Sequence, residues 1–302
     1  MTAAPEHREI LKRIGTTRIA ELSATRDSPA LLRLGLHLLL VCLLAIPVTL
    51  TEGWTRLPFQ FLMGVPLVFL FTAQHECIHQ TAFRTRWLNI GVASVIGVIL
   101  FLPALWFRYF HFAHHRHTQD PERDPELHGA KPLSRSGYLV RLTGWYFWSG
   151  NIRAMVAQAA GYHVGGYVPP RATGRIRMEA RVHLAIYVTL LTGILAGADD
   201  LLTYWIVPAL LGQPVLRAFV MAEHTACPMV PDMLTNTRTT FCHRAIRWLA
   251  WEMPWHTAHH AAPTVPFHRL AALSADLSPY LQSTADGYPQ AHRQIITDMR
   301  SR

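Results

Sequence analysis

Polar residues dominate the chain from its start to Asp27, and an apolar stretch then runs from Leu31 to Leu50. About 20 such residues are enough for a helix to cross a bilayer core of roughly 30 Å. Further apolar stretches cover Pro58–Ala73, Leu88–Phe107, His183–Ala198 and Leu201–Ala222, the last two parted by Asp199-Asp200. A single stretch of this kind also fits a buried core helix. Five of them in one short chain predict an all-α polytopic membrane protein. The N-terminal segment has no short apolar core followed by small residues, so it does not read as a secretory signal.

Arg and Lys are retained on the cytoplasmic side, which orients the stretches. Six lie in residues 1–33 and eleven between Arg108 and Arg181, whereas the turn at 199–200 has none and 51–57 only Arg56. The expected topology puts the N-terminus, the central segment and the C-terminal segment in the cytoplasm. Residues 31–74 and 183–222 then form two transmembrane hairpins, giving four transmembrane helices. Leu88–Phe107 has cytoplasmic flanks on both sides. It is expected to be a re-entrant or interfacial helix, bent at Gly91, Gly97 or Pro103. Ser134–Met178 is amphipathic and aromatic, which suits the headgroup level, with Gly161–Gly174 read as a loop. The chain thus reads as one membrane domain, 1–302. Residues 1–30 are an N-terminal cytoplasmic segment, 75–182 carry the interfacial helices, and 223–302 form a helical cytoplasmic cap.

Composition supports this and narrows the chemistry. Of 302 residues, 50% are hydrophobic and 16% charged, which excludes a disordered chain. The net charge of +9 could favour nucleic acid or an anionic membrane face. The cations follow the membrane boundaries, and no basic helix is interleaved with aromatics, so nucleic acid is not implied. Four cysteines without a CxxC pair read as reduced thiols. The 18 histidines are unevenly spread.

Three clusters concentrate them: His75-Glu76-Cys77-Ile78-His79, His111-Phe112-Ala113-His114-His115 and His256-Thr257-Ala258-His259-His260. On a helix, positions i, i+3 and i+4 share a face, so each cluster aims two or three imidazoles one way. Neutral imidazole is a common metal ligand near pH 7. One such pair arises readily by chance, but three at membrane boundaries do not. These eight exceed what one zinc ion takes, so two metal ions fit better. His224, at the end of the last apolar stretch, is placed to join them. His7, His37, His163, His183, His243 and His292 are isolated and read as surface or interfacial, while His117, His128 and His268 lie near the clusters but off their spacing. Asp120, Asp124, Glu223 and Glu252 are candidate carboxylates to receive the outer ring N–H of a liganding histidine. Glu122 and Glu126 read as solvated.

The pattern resembles the membrane fatty-acid desaturase superfamily, which includes related hydroxylases. The resemblance runs from about Phe71 to Leu273 and rests on HECIH (75–79), HFAHHRHTQDPERDPE (111–126), AEHT (222–225), NTRTT (236–240) and WEMPWHTAHHAAPTVPFHRL (251–270). It departs from patterns common in the family at Val220, Glu252 and Ala258. The resemblance implies four membrane helices beneath a cytosolic cap. It also implies two Fe2+ ions held by His75, His79, His111, His114, His115, His224, His256, His259 and His260, acting with O2.

The implied activity is O2-dependent oxidation of an aliphatic C–H bond of a lipid, first of all fatty acyl desaturation. A hydroxylase or monooxygenase acting on a lipid, hydrocarbon or terpenoid is the alternative, and a non-enzymatic membrane metal-binding protein a remote one. No haem, flavin or iron–sulfur pattern is present. Electrons are therefore expected from a separate ferredoxin or cytochrome with its reductase. The expected location is a bacterial inner membrane, with the site on the cytoplasmic side.

Overall fold

The computed structural model describes residues 6–129, 134–162 and 165–301, and it is mostly helical. Two short helices, α1 (His7–Ile14) and α2 (Thr16–Leu22), precede the long α3 (Asp27–Thr49) and α4 (Leu57–His79). Then come α5 (Arg86–Ile99), α6 (Ala104–His117), α7 (Arg135–Leu142), α8 (Trp145–Ala160) and α9 (Pro170–Leu195). A π-helical turn, Leu202–Ile206, opens α10 (Val207–His224). The C-terminal part holds α11 (Met233–Asn236), β1 (Thr239–Phe241), α12 (Arg244–Leu249), α13 (His256–Ala261), α14 (Phe267–Leu277), β2 (Thr284–Asp286) and α15 (Tyr288–Ser301). An all-α reading did not anticipate β1 and β2, which pair in parallel through Thr240 and Ala285.

Among the described residues, four helical segments are long and apolar enough to cross a membrane: Asp27–Thr49, Gly53–His79, Pro170–Leu195 and Leu202–His224. α3 and α9 are mostly exposed, with Leu32, Leu43, Val188 and Leu191 on the outside. In water such faces would aggregate, whereas lipid accommodates them. α4 is largely buried and packs against α3, α5 and α10. Its crossing with α10 has almost no clearance. A Cβ on Gly64 would stand 1.9 Å from the Pro208 carbonyl oxygen, and one on Gly212 2.3 Å from the Gly64 carbonyl. Small residues let membrane helices meet backbone to backbone, where dispersion replaces the missing hydrophobic drive. Gln60 on α4 donates to Thr203 O at 2.9 Å, so the two helices start together and run parallel.

The third apolar stretch is a broken pair: α5 and α6 meet at a 100° bend across Leu100–Pro103. Gly91 and Gly97 were expected as bends but lie inside α5, and Pro103 alone stands at the break, as the N-cap of α6. Gly97 instead permits close return of the chain, since a Cβ there would meet Leu102 O at 2.7 Å. A break in a helix frees backbone groups, and where these are buried other groups have to satisfy them. Gln74 of α4 donates to Leu102 O (2.8 Å), Tyr187 of α9 to Val98 O (2.9 Å), and the Trp205 indole to Ile99 O (2.8 Å). The Glu179 carboxylate of α9 accepts from Leu105 N and Trp106 N, capping the positive end of α6.

Two further expectations are corrected. α9 starts at Pro170, so the loop read over Gly161–Gly174 ends earlier and the third long helix begins well before His183. Its first three turns carry Arg171, Arg175, Arg177 and Arg181, which hid the helix from hydropathy; Pro170 at the first helical position favours the start. His7, His37 and His183 are buried rather than superficial. The His37 Nε2–H donates to Pro66 O, and its Nδ1 accepts from the Trp251 indole, which joins α3, α4 and the segment before α13. His163 lies outside the described residues.

Candidate metal centre

α4 and α10 bring the first donors to one level. His75 follows Gly64 by eleven residues and His224 follows Gly212 by twelve, so parallel helices locked at those glycines carry both imidazoles roughly 17 Å beyond the crossing. α6, turned back by the bend, adds His111, His114 and His115, and the short α13 adds His256, His259 and His260. Among the described residues, five of the six non-glycine residues with positive φ flank these helices: Gln80, Gln119, Ala226, Trp251 and Glu252. Backbone held in this sparsely populated region collects where the surrounding structure fixes a functional site.

The imidazoles form two groups. His75, His79, His111, His115 and His259 offer nitrogens all within 4.8 Å of one another, and so do His114, His224 and His260. His256 stands beside the second group, its Nε2 3.1 Å from that of His224. Between rings, Nε2 faces Nε2 at 2.8 Å (His111, His115), 3.1 Å (His115, His259) and 3.2 Å (His114, His224). The outer nitrogens of the second group have partners. His114 Nδ1 lies 3.0 Å from Asp124, His224 Nδ1 3.3 Å from Asn236 O, and His260 Nδ1 3.2 Å from the Thr118 hydroxyl. His256 Nδ1 is 3.4 Å from Glu223. The contacts of His114, His224 and His260 hold the tautomer that turns their Nε2 lone pairs inward.

Burial, then the neighbouring imidazoles, holds His256, His259 and His260 well below the usual imidazole range, so they are neutral at pH 7. Burial alone would raise the Asp124 carboxyl. Hydrogen bonds from His114 and from the backbone N–H groups of Gln119 and Glu126 instead hold it below its usual range. His79 Nε2 and His260 Nε2 are buried without a hydrogen-bond partner, as are Nδ1 of His75, His115, His256 and His259. Buried, convergent imidazole nitrogens form a donor set that fits transition-metal ions and not hard cations, which take oxygen ligands. The described residues thus offer two adjacent places for metal.

The four candidate carboxylates separate. Asp124 and Glu223 face histidines, as described. Asp120 is engaged with Arg123 and caps the N–H groups of Glu122 and Arg123. Glu252 accepts from the Trp255 indole and lies near Arg33 and Arg247. Glu126, expected in solvent, is only partly exposed, with a carboxylate oxygen 3.7 Å from His114 Nδ1.

Several contributors carry no histidine signal. Arg238 donates to Ala222 O and to Thr225 O (2.9 Å), fixing the C-terminal end of α10 beside His224, and also to Gln294 of α15 (3.1 Å). The Gln119 amide donates to His224 O at 2.7 Å. Glu76 accepts from Phe267 N and Thr81, tying α14 to the first histidine pair. The motif NTRTT contains Asn236 and Arg238, and was the one sequence signal that pointed to them.

A cavity of about 440 Å³ opens beside the second group. His114 and His224 form part of its wall, Phe71, Trp106, Phe107 and Phe110 line another part, and the charged Glu126, Arg141 and Arg217 also face it. Its volume suits an organic ligand of moderate size.

A family model described as Fatty acid desaturase matches residues 52–292. An sn-1 oleoyl-lipid 12-desaturase from Picosynechococcus sp. is 23% identical over 76% of this chain and 72% of its own length. A sphingolipid delta(4)-desaturase/C4-monooxygenase from Rattus norvegicus is 29% identical over 65% of this chain and 58% of its own. An sn-1 acyl-lipid omega-3 desaturase (ferredoxin) from Nostoc sp. is 26% identical over 36% of this chain and 31% of its own.

Proposed function

The chain belongs to the fatty acid desaturase family, and from that premise we propose that it is a membrane-bound, O2-dependent oxidoreductase that desaturates the alkyl chain of a lipid. The observation that carries this reading is the pair of histidine groups standing against an aromatic-lined cavity. His75, His79, His111, His115 and His259 hold one metal ion; His114, His224 and His260, with His256 beside them, hold the other. With O2, two ferrous ions supply the oxidant that an unactivated C–H bond requires and that side chains cannot.

The remaining work falls to the protein. Asp124, Asn236 and Thr118 keep the Nε2 lone pairs of His114, His224 and His260 directed inward. Arg238 and Gln119 hold the end of α10 so that His224 stays in place. Phe71, Phe107 and Phe110 exclude water and guide an alkyl chain toward the second group. Removing two hydrogens while reducing O2 to two waters consumes two further electrons and two protons. A separate donor delivers those electrons, a ferredoxin or a cytochrome with its reductase; the name of the Nostoc relative includes ferredoxin. The site faces the cytoplasm from a bacterial inner membrane, beneath a cap formed by the C-terminal elements, and α5–α6 is the re-entrant pair. The distribution of Arg and Lys supports that orientation.

Hydroxylation on the same scaffold is the second reading, favoured by the rat relative, whose name joins a desaturase to a C4-monooxygenase. Lipid mass spectrometry of a host expressing the protein separates the two, since desaturation removes two hydrogens and hydroxylation adds one oxygen. His114→Ala and His259→Ala should each lose bound metal and product together. Retention of both would refute the ligand assignment. Bound iron without O2 consumption, reductant being supplied, would leave a metal-binding protein and no enzyme.

A further inference from the structure

The cavity beside the second histidine group contains a cation that the proposed reaction does not use. Arg217 lies on α10 two turns before His224, and Arg217, Met221 and His224 share the helix face that lines the cavity. Its guanidinium sits 4.3 Å over the ring of Phe147, another wall residue. The stacking fixes the plane, yet the buried Nε and Nη2 atoms have no hydrogen-bond partner. Those two donors form one edge of the guanidinium fork, the edge that takes both oxygens of a carboxylate side by side. A cation with unmade hydrogen bonds inside a membrane bundle is costly, and such residues mark ligand positions.

Other charges near the cavity narrow the ligand. Asp124 is committed to His114 and two backbone N–H groups. Glu223 and Glu126 act on Arg217 through space, and so does the cation Arg141, which shares the cavity wall. With charges of both signs there, the unmade guanidinium edge, two donors side by side, selects the ligand. We propose that Arg217 binds the carboxylate of an unesterified long-chain fatty acid, whose alkyl chain runs past His114 and His224. This rests on the lipid-oxidising reading above and names the substrate as a free acid rather than an ester-linked acyl chain. Arg217 and His224 are about 10 Å apart along α10, so the attacked carbon is counted from the carboxyl end.

Binding is measured on the 302-residue chain in lipid nanodiscs at neutral pH without reductant, so turnover plays no part. Palmitate should bind roughly tenfold or more tightly than methyl palmitate, as expected for a charge-assisted contact. Arg217→Gln should bind both alike, at the wild-type affinity for the ester. Arg217→Lys keeps the charge but loses the fork, and should fall between. Equal wild-type affinity for acid and ester overturns the assignment, as does a preference for the acid that survives Arg217→Gln. Tighter binding of hexadecyl phosphate than of palmitate also overturns it, in favour of a phosphate. If Arg217→Gln fails to fold, the wild-type comparison decides alone. Absence of oxidised lipid with the acid preference intact would remove the proposed function and leave the carboxylate site standing.

Discussion

Asp124 sits 3.0 Å from His114 Nδ1 and receives two backbone N–H groups of its own loop, so one carboxylate fixes both an imidazole and the turn after α6. Asp124→Asn keeps an acceptor but loses the charge, and should lower metal affinity about 10–100-fold while the protein still folds. Competition with a chelator measures this, and unchanged affinity would remove Asp124 from the role given to it. The histidines were legible because their spacing repeats on a helix face. Thr118, Asn236 and Arg238 were not singled out as individual residues, since each acts through one hydroxyl or through backbone carbonyls, and such contacts leave no periodic trace. His37 was misplaced for a related cause: its burial depends on Pro66 and Trp251, one of them remote in the chain.

Among the elements, the crossing of α4 and α10 sets the geometry of the centre. Gly212→Ala forces a Cβ into the Gly64 backbone, where no flexible side chain can yield. The expected cost is about 1–3 kcal/mol or more, together with loss of metal at the second group before the first, since His224 belongs to the second. Thermal unfolding and metal stoichiometry test the two effects; an unaltered melting temperature would show that the helices part easily. Hydropathy located four long helices because lipid-facing residues are apolar on nearly every side. It misjudged the start of α9, whose first turns are rich in arginine, and the exact bend of α5–α6. That bend depends on Gln74, Tyr187 and Trp205 from other elements, which no local window includes.

For the whole molecule, orientation in the bilayer has a direct test. With the native cysteines replaced by serine, cysteine at Thr55 or Asp199 should react with an impermeant maleimide on intact cells, and cysteine at Gln290 only after permeabilisation. The opposite pattern would turn the histidine centre toward the outside and defeat a cytoplasmic electron donor. The bundle as a whole was legible through apolar length. The attachment of the C-terminal elements was less so, because it depends on single contacts such as Arg33 with Trp248 O and His7 with Asp232.

The glycine contact acts as a pivot with two arms about 17 Å long. A tilt of about five degrees at that point would swing the far nitrogens by roughly 1.5 Å, enough to undo coordination. Affinity for metal therefore reports the angle between two helices in the bilayer, and lipids thick or thin enough to change that angle should be felt at the centre before any span unfolds.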